Sequence, residues 1–294
     1  MRIGSYLAGD RTTWGVIDPE GAIDAPPLLA AAGLTAAADL RAFLARGGTA
    51  SQLASAIRQR DGENARRPIG EVRLLAPIPN PSKIVCMGLN FEDYRRILGL
   101  EYLAVPQLFL KAPSAVVGPD AVVEIPEGYG SVFHEFEVGA VIGRRIREVS
   151  EAEAEGAIFG YTIVNDLVLH DVELLTREYQ QWAKNCDTFA PMGPWIATPD
   201  EVPVDRARMI RRRNGTVEAE SSMGQMRRGM PEMIAFVTTF MTLEPGDLVT
   251  SASPPAGPFN PGDVLEVEVE GIGVLRNRVV GRRVAREYAH ALGL

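Results

Sequence analysis

From Leu74 onward, the apolar positions fall into many short runs separated by glycine, proline and charged residues. Lys83–Met87 is one run, ending at Gly88. Ala121–Ile125 is a second, bounded by Gly118-Pro119 and Pro126, and Phe136–Ile142 is a third. Runs of this length with β-branched residues and turn residues at both ends predict strands. Ser150 followed by Glu153 has the spacing of a capping box and predicts a helix ending near Gly160, with Tyr161–Val164 returning as a strand. Near the C-terminus Leu265, Val267 and Val269 alternate with Glu266, Glu268 and Glu270, the period of a half-buried strand. Gly271-Ile272-Gly273 then turns the chain into a partner strand over 274–280. Asn214-Gly215 marks a hairpin.

Residues 1–70 have a different texture. Met1–Tyr6 and Thr13–Ile17 predict a hairpin around Gly9-Asp10. Two helices are expected near Ala36–Ala45 and Ser51–Arg60, separated by Gly47-Gly48. Residues 61–70 are polar, without apolar periodicity, and read as a linker. The expected organisation is a small N-terminal domain and linker over 1–70 and a larger domain over 71–294. The fold class is α+β and strand-rich, without alternating βαβ units.

The chain of 294 residues is 46% hydrophobic and 23% charged, ordinary for a folded protein with a substantial core. Its net charge of −8 argues against broad binding to nucleic acid or anionic membranes, which need a positive surface. Two cysteines, Cys86 and Cys186, leave little scope for a disulfide framework or a thiolate metal site. No run approaches the roughly 20 apolar residues of a membrane span, and the N-terminus lacks a signal-like apolar stretch. A cytoplasmic protein is expected.

The candidate chemistry begins at Glu135-Phe136-Glu137. On a strand, residues i and i+2 face the same way, roughly 6–7 Å apart, so both carboxylates project together. Like charges so placed repel unless a cation joins them or one takes a proton. Asp166 offers a third carboxylate after another apolar strand. Oxygen-only ligation selects hard cations, Mg²⁺, Mn²⁺ or Ca²⁺. The spacing alone also fits a solvent-facing strand, as Glu266–Glu270 illustrates.

A larger pattern surrounds these residues. It comprises Lys83-Ile84-Val85-Cys86-Met87-Gly88-Leu89-Asn90, Phe109-Leu110-Lys111-Ala112-Pro113-Ser114, and Glu135-Phe136-Glu137 with Val141-Ile142-Gly143. Gly160-Tyr161-Thr162 with Asn165-Asp166, Lys184, Pro191-Met192-Gly193-Pro194-Trp195, Asn214-Gly215 and Leu243-Glu244-Pro245-Gly246-Asp247 continue it in order. In this the chain resembles the fumarylacetoacetate hydrolase family from about residue 70 to residue 280. The resemblance implies that family's strand-rich mixed fold, a homodimer, and Mg²⁺ or Mn²⁺ bound by Glu135, Glu137 and Asp166, with Ca²⁺ as an ion a crystal can hold there. It implies a small oxo-acid or diketo substrate, with Lys184 near the metal and in contact with it. The candidate substrate-binding set is Asn90, Lys111, His170 and Ser253.

The departures bear on the reaction. Hydrolytic and decarboxylating members carry a histidine and a glutamate shortly after the G-x-N motif, on a short helix that closes over the site. Here those positions hold Tyr94 and Ile97. Tyrosine, with an ordinary pKa near 10, is a poor base at neutral pH, and isoleucine carries no proton. His170 stands where an arginine is frequent, Glu173 replaces a common glutamine, and Ala252 replaces a glycine beside Ser253. Ala219 and Met223 also make the expected pocket less polar. Glu92, Asp93 and Tyr94 remain as proton carriers on the lid, with Lys184 steadying negative charge.

The expected function is a metal-dependent enzyme acting beside a carbonyl through a stabilised enolate, by C–C hydrolysis or cleavage or by decarboxylation. Keto–enol tautomerisation, isomerisation or hydration is the alternative, and a non-catalytic metal-binding scaffold is the rival of another class. His134, next to the acidic pair, is expected in a core or surface role. Arg211-Arg212-Arg213 is expected on a solvated face.

Overall fold

A computed structural model describes residues 1–59, 66–176, 179–284 and 290–293. Its main sheet runs in the order Arg66–Arg67, Gly21–Asp24, Arg11–Asp18, Arg2–Ala8, Ala190–Ala197, Ile158–Val164, Glu137–Ile142, Leu248–Thr250, Ile84–Gly88, Gln107–Lys111. A second sheet carries Thr216–Ser222, Arg208–Arg213, Val264–Val269, Gly273–Arg282 and Val122–Pro126. A third small sheet joins Val168–Leu169, Val132–His134 and Gly257–Phe259. Pairing is antiparallel apart from a few contacts such as Leu248–Thr250 against Ile84–Gly88.

The two central strands, Glu137–Ile142 and Ile158–Val164, are buried at every residue. Such strands read as continuous apolar runs because both faces are covered. On one face, Val138, Ala140 and Ile142 pack with Ile163 and with Met233, Ile234 and Val237 of the helix Met230–Thr238. On the other, Val141 and Val164 pack with Ile84, Cys86 and Ile196, and with Ile3, Trp14, Leu29, Leu40 and Phe43 from the N-terminal region. That region is thus joined to the rest by backbone pairing of Arg2 and Ile3 with Ala197 and Ile196, and by a shared core.

The N-terminal hairpin forms as expected, with Gly9 at φ 61° in its turn. Asn214 and Gly215 both take positive φ, 54° and 78°, the geometry of a two-residue type I′ turn. Val264–Val269 alternates between half-buried and buried positions and pairs with Gly273–Arg282. Ser150 and Glu153 form the capping box, but the helix covers only Glu151–Glu155 and stops at Gly156. The expected end near Gly160 is wrong because Ile158 onward is drawn into the central sheet by pairing with Ile142. The helix expected from Ala36 starts at Leu40, where Asp39 accepts from the Ala42 amide at 2.7 Å. Ala50–Gln59 matches the second expected helix.

The polar segment 61–65 lies outside the described residues, and Arg66–Arg67 pairs with Gly21–Asp24. A helix over Ala25–Ala31 contains Pro26 and Pro27 in its first turn, where a proline costs no hydrogen bond. No helix among the described residues is long and apolar enough to cross a membrane, and both cysteines are free thiols.

Candidate metal centre and cleft

Glu137 opens the central strand and shares a face with Gly139 and Val141, so its side chain points into the interior. Asp166 follows the neighbouring strand directly, and Glu137 pairs with Val164 across the two. This pairing brings the two acids together, and Glu135 approaches from just before its strand. Carboxylate oxygens of Glu135, Glu137 and Asp166 all lie within 4.8 Å of one another.

Two lysines converge on the acids. Lys184 donates from Nζ to Glu135 at 3.1 Å and to Asp166 at 2.8 Å, and sits 4.9 Å from the Phe109 ring centre. Lys111, 1% exposed, donates to the other Asp166 oxygen and to the carbonyls of Leu167 and Lys184. Three carboxylates face two ammonium groups, so the cluster holds one negative charge more than its own cations offset. Burial disfavours ionisation of Asp166, but Lys111 and Lys184 hold its carboxyl below the usual range. Burial also works against the Lys184 ammonium, and Asp166 and Glu135 outweigh it, raising its pKa well above the ordinary value.

The excess falls on the two glutamates. Burial pushes the Glu135 carboxyl up to about 7, with Lys184 opposing and Asp166 adding. Glu137 is fully buried, neither of its oxygens has a hydrogen-bond partner, and burial together with Asp166 and Glu135 raises its pKa well above the usual value. An orphaned buried carboxylate in an all-oxygen donor set beside two others fits a hard divalent cation.

The centre opens into a cleft of about 410 Å³ that holds Tyr94, Glu135, His170, Glu173, Lys184 and Ser253. One wall is the helix Glu92–Leu98, ended by Gly99 at φ 64°. Tyr94 faces the cleft, and its phenol is pushed up to about 12, by burial first and then by Glu135. Glu92 turns elsewhere. It accepts from Arg95 at 2.9 Å, Arg96 at 2.7 Å and the Tyr102 hydroxyl at 2.9 Å, and hydrogen bonds from Arg95 and Tyr102 hold its carboxyl down at about 2. Asp93 accepts from Ser221 Oγ at 2.5 Å and from the Tyr94 amide at 2.8 Å. Neither acid lines the cleft, and Ile97 is 69% exposed.

The expected substrate-binding residues separate. His170 lines the cleft, stacked on Phe133 at 4.0 Å, with Nδ1 4.0 Å from Glu173. Ser253 lines it too, but its hydroxyl donates to the Pro254 carbonyl at 2.6 Å and accepts from the Phe136 amide at 3.2 Å, so it braces the strand entry. Lys111 lies beneath the acids. Asn90 lies off the cleft, donating to the carbonyls of Arg228 and Ser251 and accepting from the Arg228 amide, which ties the lid's root to a neighbouring loop.

His134 is in the core, one of the two roles expected for it, with burial and Arg211 lowering its pKa well below the ordinary value. Arg211 contradicts the solvated-face reading of its run. It is 4% exposed, donates to the carbonyls of Pro255 at 2.7 Å and His134 at 3.3 Å, and lies 5.7 Å from the Phe136 ring centre. Nothing local marks one arginine of three for burial. Its carbonyl partners come from a strand end and a loop remote in sequence. Gln107, Phe109 and Gln180 also reach the cleft without any local signal.

Residues 83–280 match the model of the fumarylacetoacetate (FAA) hydrolase C-terminal domain. The chain is 34% identical over 224 residues to the mitochondrial oxaloacetate tautomerase FAHD2A of Bos taurus, covering 72% of this chain and 71% of that protein. It superposes on a 5-carboxymethyl-2-hydroxymuconate delta-isomerase from Mycobacterium smegmatis with a TM-score of 0.77 at 29% identity, over 96% and 99% of the two chains. A maleylpyruvate hydrolase from Sphingobium sp. SYK-6, solved in complex with manganese (II) ion and pyruvate, gives a TM-score of 0.79 at 27% identity over 96% and 99%. With a tautomerase, an isomerase and a hydrolase among these relatives, and its motifs folded around one acidic centre, the chain belongs to the fumarylacetoacetate hydrolase family.

Proposed function

We propose that this protein binds a small 2-oxo acid at a Mg²⁺ or Mn²⁺ ion held by Glu135, Glu137 and Asp166, and moves a proton at the carbon beside the carbonyl, as a keto–enol tautomerase or isomerase. Held by these three carboxylates, a divalent ion would polarise the carbonyl oxygen of an oxo-acid and lower the cost of negative charge on it. Lys184, fixed by Glu135 and Asp166, adds positive charge at the same edge. The Tyr94 phenol stays protonated at neutral pH and donates a hydrogen bond or a proton. His170, beside Glu173, receives the proton from carbon.

The observation that carries this reading is the engagement of the lid acids. Glu92 is held by two arginines and a tyrosine and Asp93 by Ser221, so neither is free to activate water. Proton transfer at carbon needs no water. A second reading, C–C cleavage, is favoured by the adjacency of His170 and Glu173, which offers an alternative base for a water molecule.

The test is deuterium exchange at C3 of 2-oxobutyrate in D₂O, followed by proton NMR with Mn²⁺-loaded and chelator-treated protein. Metal-dependent exchange that falls on the order of 100-fold in Tyr94→Phe, with KM changed little, is the expected result. Faster release of pyruvate from an acylpyruvate than C3 exchange, undiminished in Tyr94→Phe, sinks the tautomerase reading and supports cleavage.

A further inference from the structure

The cleft has two chemically different ends. At the inner end lie Glu135, Lys184 and the buried acids. The remaining walls are largely apolar, with Met87, Leu89, Leu98, Leu100, Phe109 and Leu174 facing the space. Leu98 is 44% exposed, Leu100 42% and Leu174 68%. Exposed leucines grouped at the mouth of a cleft gain from being covered by an apolar ligand.

Charge at the mouth points the same way. Among the described residues lining the cleft, Lys184 is the single permanent cation, and Glu135 and Asp166 already hold it. Glu173 places a carboxylate on the wall, and His170, when protonated, has that carboxylate as its neighbour at 4.0 Å. Arg95 and Arg96 are paired with Glu92, and neither lines the space. Among the described residues, a second carboxylate on a substrate would meet leucines and Glu173, with no free cation lining the space to offset its loss of water.

We infer that the substrate is a monoanionic 2-oxo acid whose far end is an uncharged apolar chain, and that Leu98, Leu100 and Leu174 select that chain while Glu173 turns away dicarboxylates. This rests on the reading of the inner end as an oxo-acid site, so the test separates the two. N-alkyl oxamates carry an oxo-acid head that cannot enolise and a tail of adjustable length. They are titrated calorimetrically into Mn²⁺-loaded protein beside N-(carboxyalkyl) oxamates of equal length.

The expected result is metal-dependent binding that tightens about two- to fourfold per methylene from ethyl to pentyl, from apolar area removed from water. A terminal carboxylate should weaken binding tenfold or more against the alkyl compound of the same length. Leu174→Arg, at an exposed position, should reverse that order by supplying a cation. Head binding with no gain from the tail, or tighter binding of the carboxyalkyl series to the unaltered protein, overturns the inference and leaves the oxo-acid site standing. No metal-dependent binding by any oxamate overturns both.

Discussion

Glu137→Gln should gain stability relative to the unaltered, metal-free protein as pH rises from about 4.5 to about 8, against the usual uniform loss from a change at a buried site. The Glu137 carboxyl is fully buried and unpartnered, and its pKa is raised by burial, Asp166 and Glu135. A raised carboxyl pKa means that the folded state holds a proton the unfolded chain has released, so stability falls as pH rises from the unfolded value toward the folded one. The penalty is absent at about pH 4, below the unfolded value, and grows by about 1.4 kcal/mol for each pH unit between the unfolded and folded values. Glutamine copies the protonated acid and carries no such penalty. A buried amide left short of partners costs about 1–3 kcal/mol at every pH. Glu137→Gln should therefore be less stable than the unaltered protein at about pH 4.5, and the gap should close or reverse by about pH 7–8. Urea denaturation of chelator-treated proteins across that range measures it. A second arm adds Mn²⁺. At 100 times Kd the unaltered protein gains about 2.7 kcal/mol, and the variant, short of one charged ligand, gains little. Parallel pH profiles, or an equal gain from Mn²⁺, would refute the view of Glu137 as a metal ligand with an unpaired buried charge.

Two further predictions concern the neighbours. Lys111→Met leaves Asp166 with one cation and two buried carbonyls without their donor, so a loss of about 3–5 kcal/mol is expected in urea denaturation; a loss below about 1 kcal/mol contradicts the buried pairing. Glu92→Gln should leave the pH–rate profile between pH 5 and 8 unshifted, since the carboxyl titrates at about 2 and points away from the cleft. Disappearance of a limb in that range would restore Glu92 as a proton carrier.

Much of the centre was legible along the chain. Local pattern set Glu135, Glu137 and Asp166 beside apolar runs whose strands pair next to one another, and the ordered family motifs, not the spacing, marked them as a metal set. Hairpin turns such as Asn214-Gly215 were legible too, because a two-residue turn with positive φ at both positions is a local requirement. The lid acids were not. Glu92, Asp93 and Tyr94 are consecutive, yet only Tyr94 faces the cleft, because Arg95, Arg96, Tyr102 and Ser221 turn the other two away. Asn90 looked like a substrate contact, whereas its amide is spent on backbone groups of Arg228 and Ser251, more than 130 residues away.

Sequence by itself thus determined the elements, because capping, turn geometry and apolar period act within a few residues, while the three acids stood out only through the ordered family motifs around them. Tertiary structure alone decided which charges pair. It put Lys111 beneath Asp166, left Glu137 without a partner, buried Arg211 out of a basic run, and lined the cleft mouth with leucines from two helices and a loop. Those outcomes depend on Coulomb and desolvation energies between groups far apart in the chain. Such energies are set by distances of a few ångströms that no local pattern encodes.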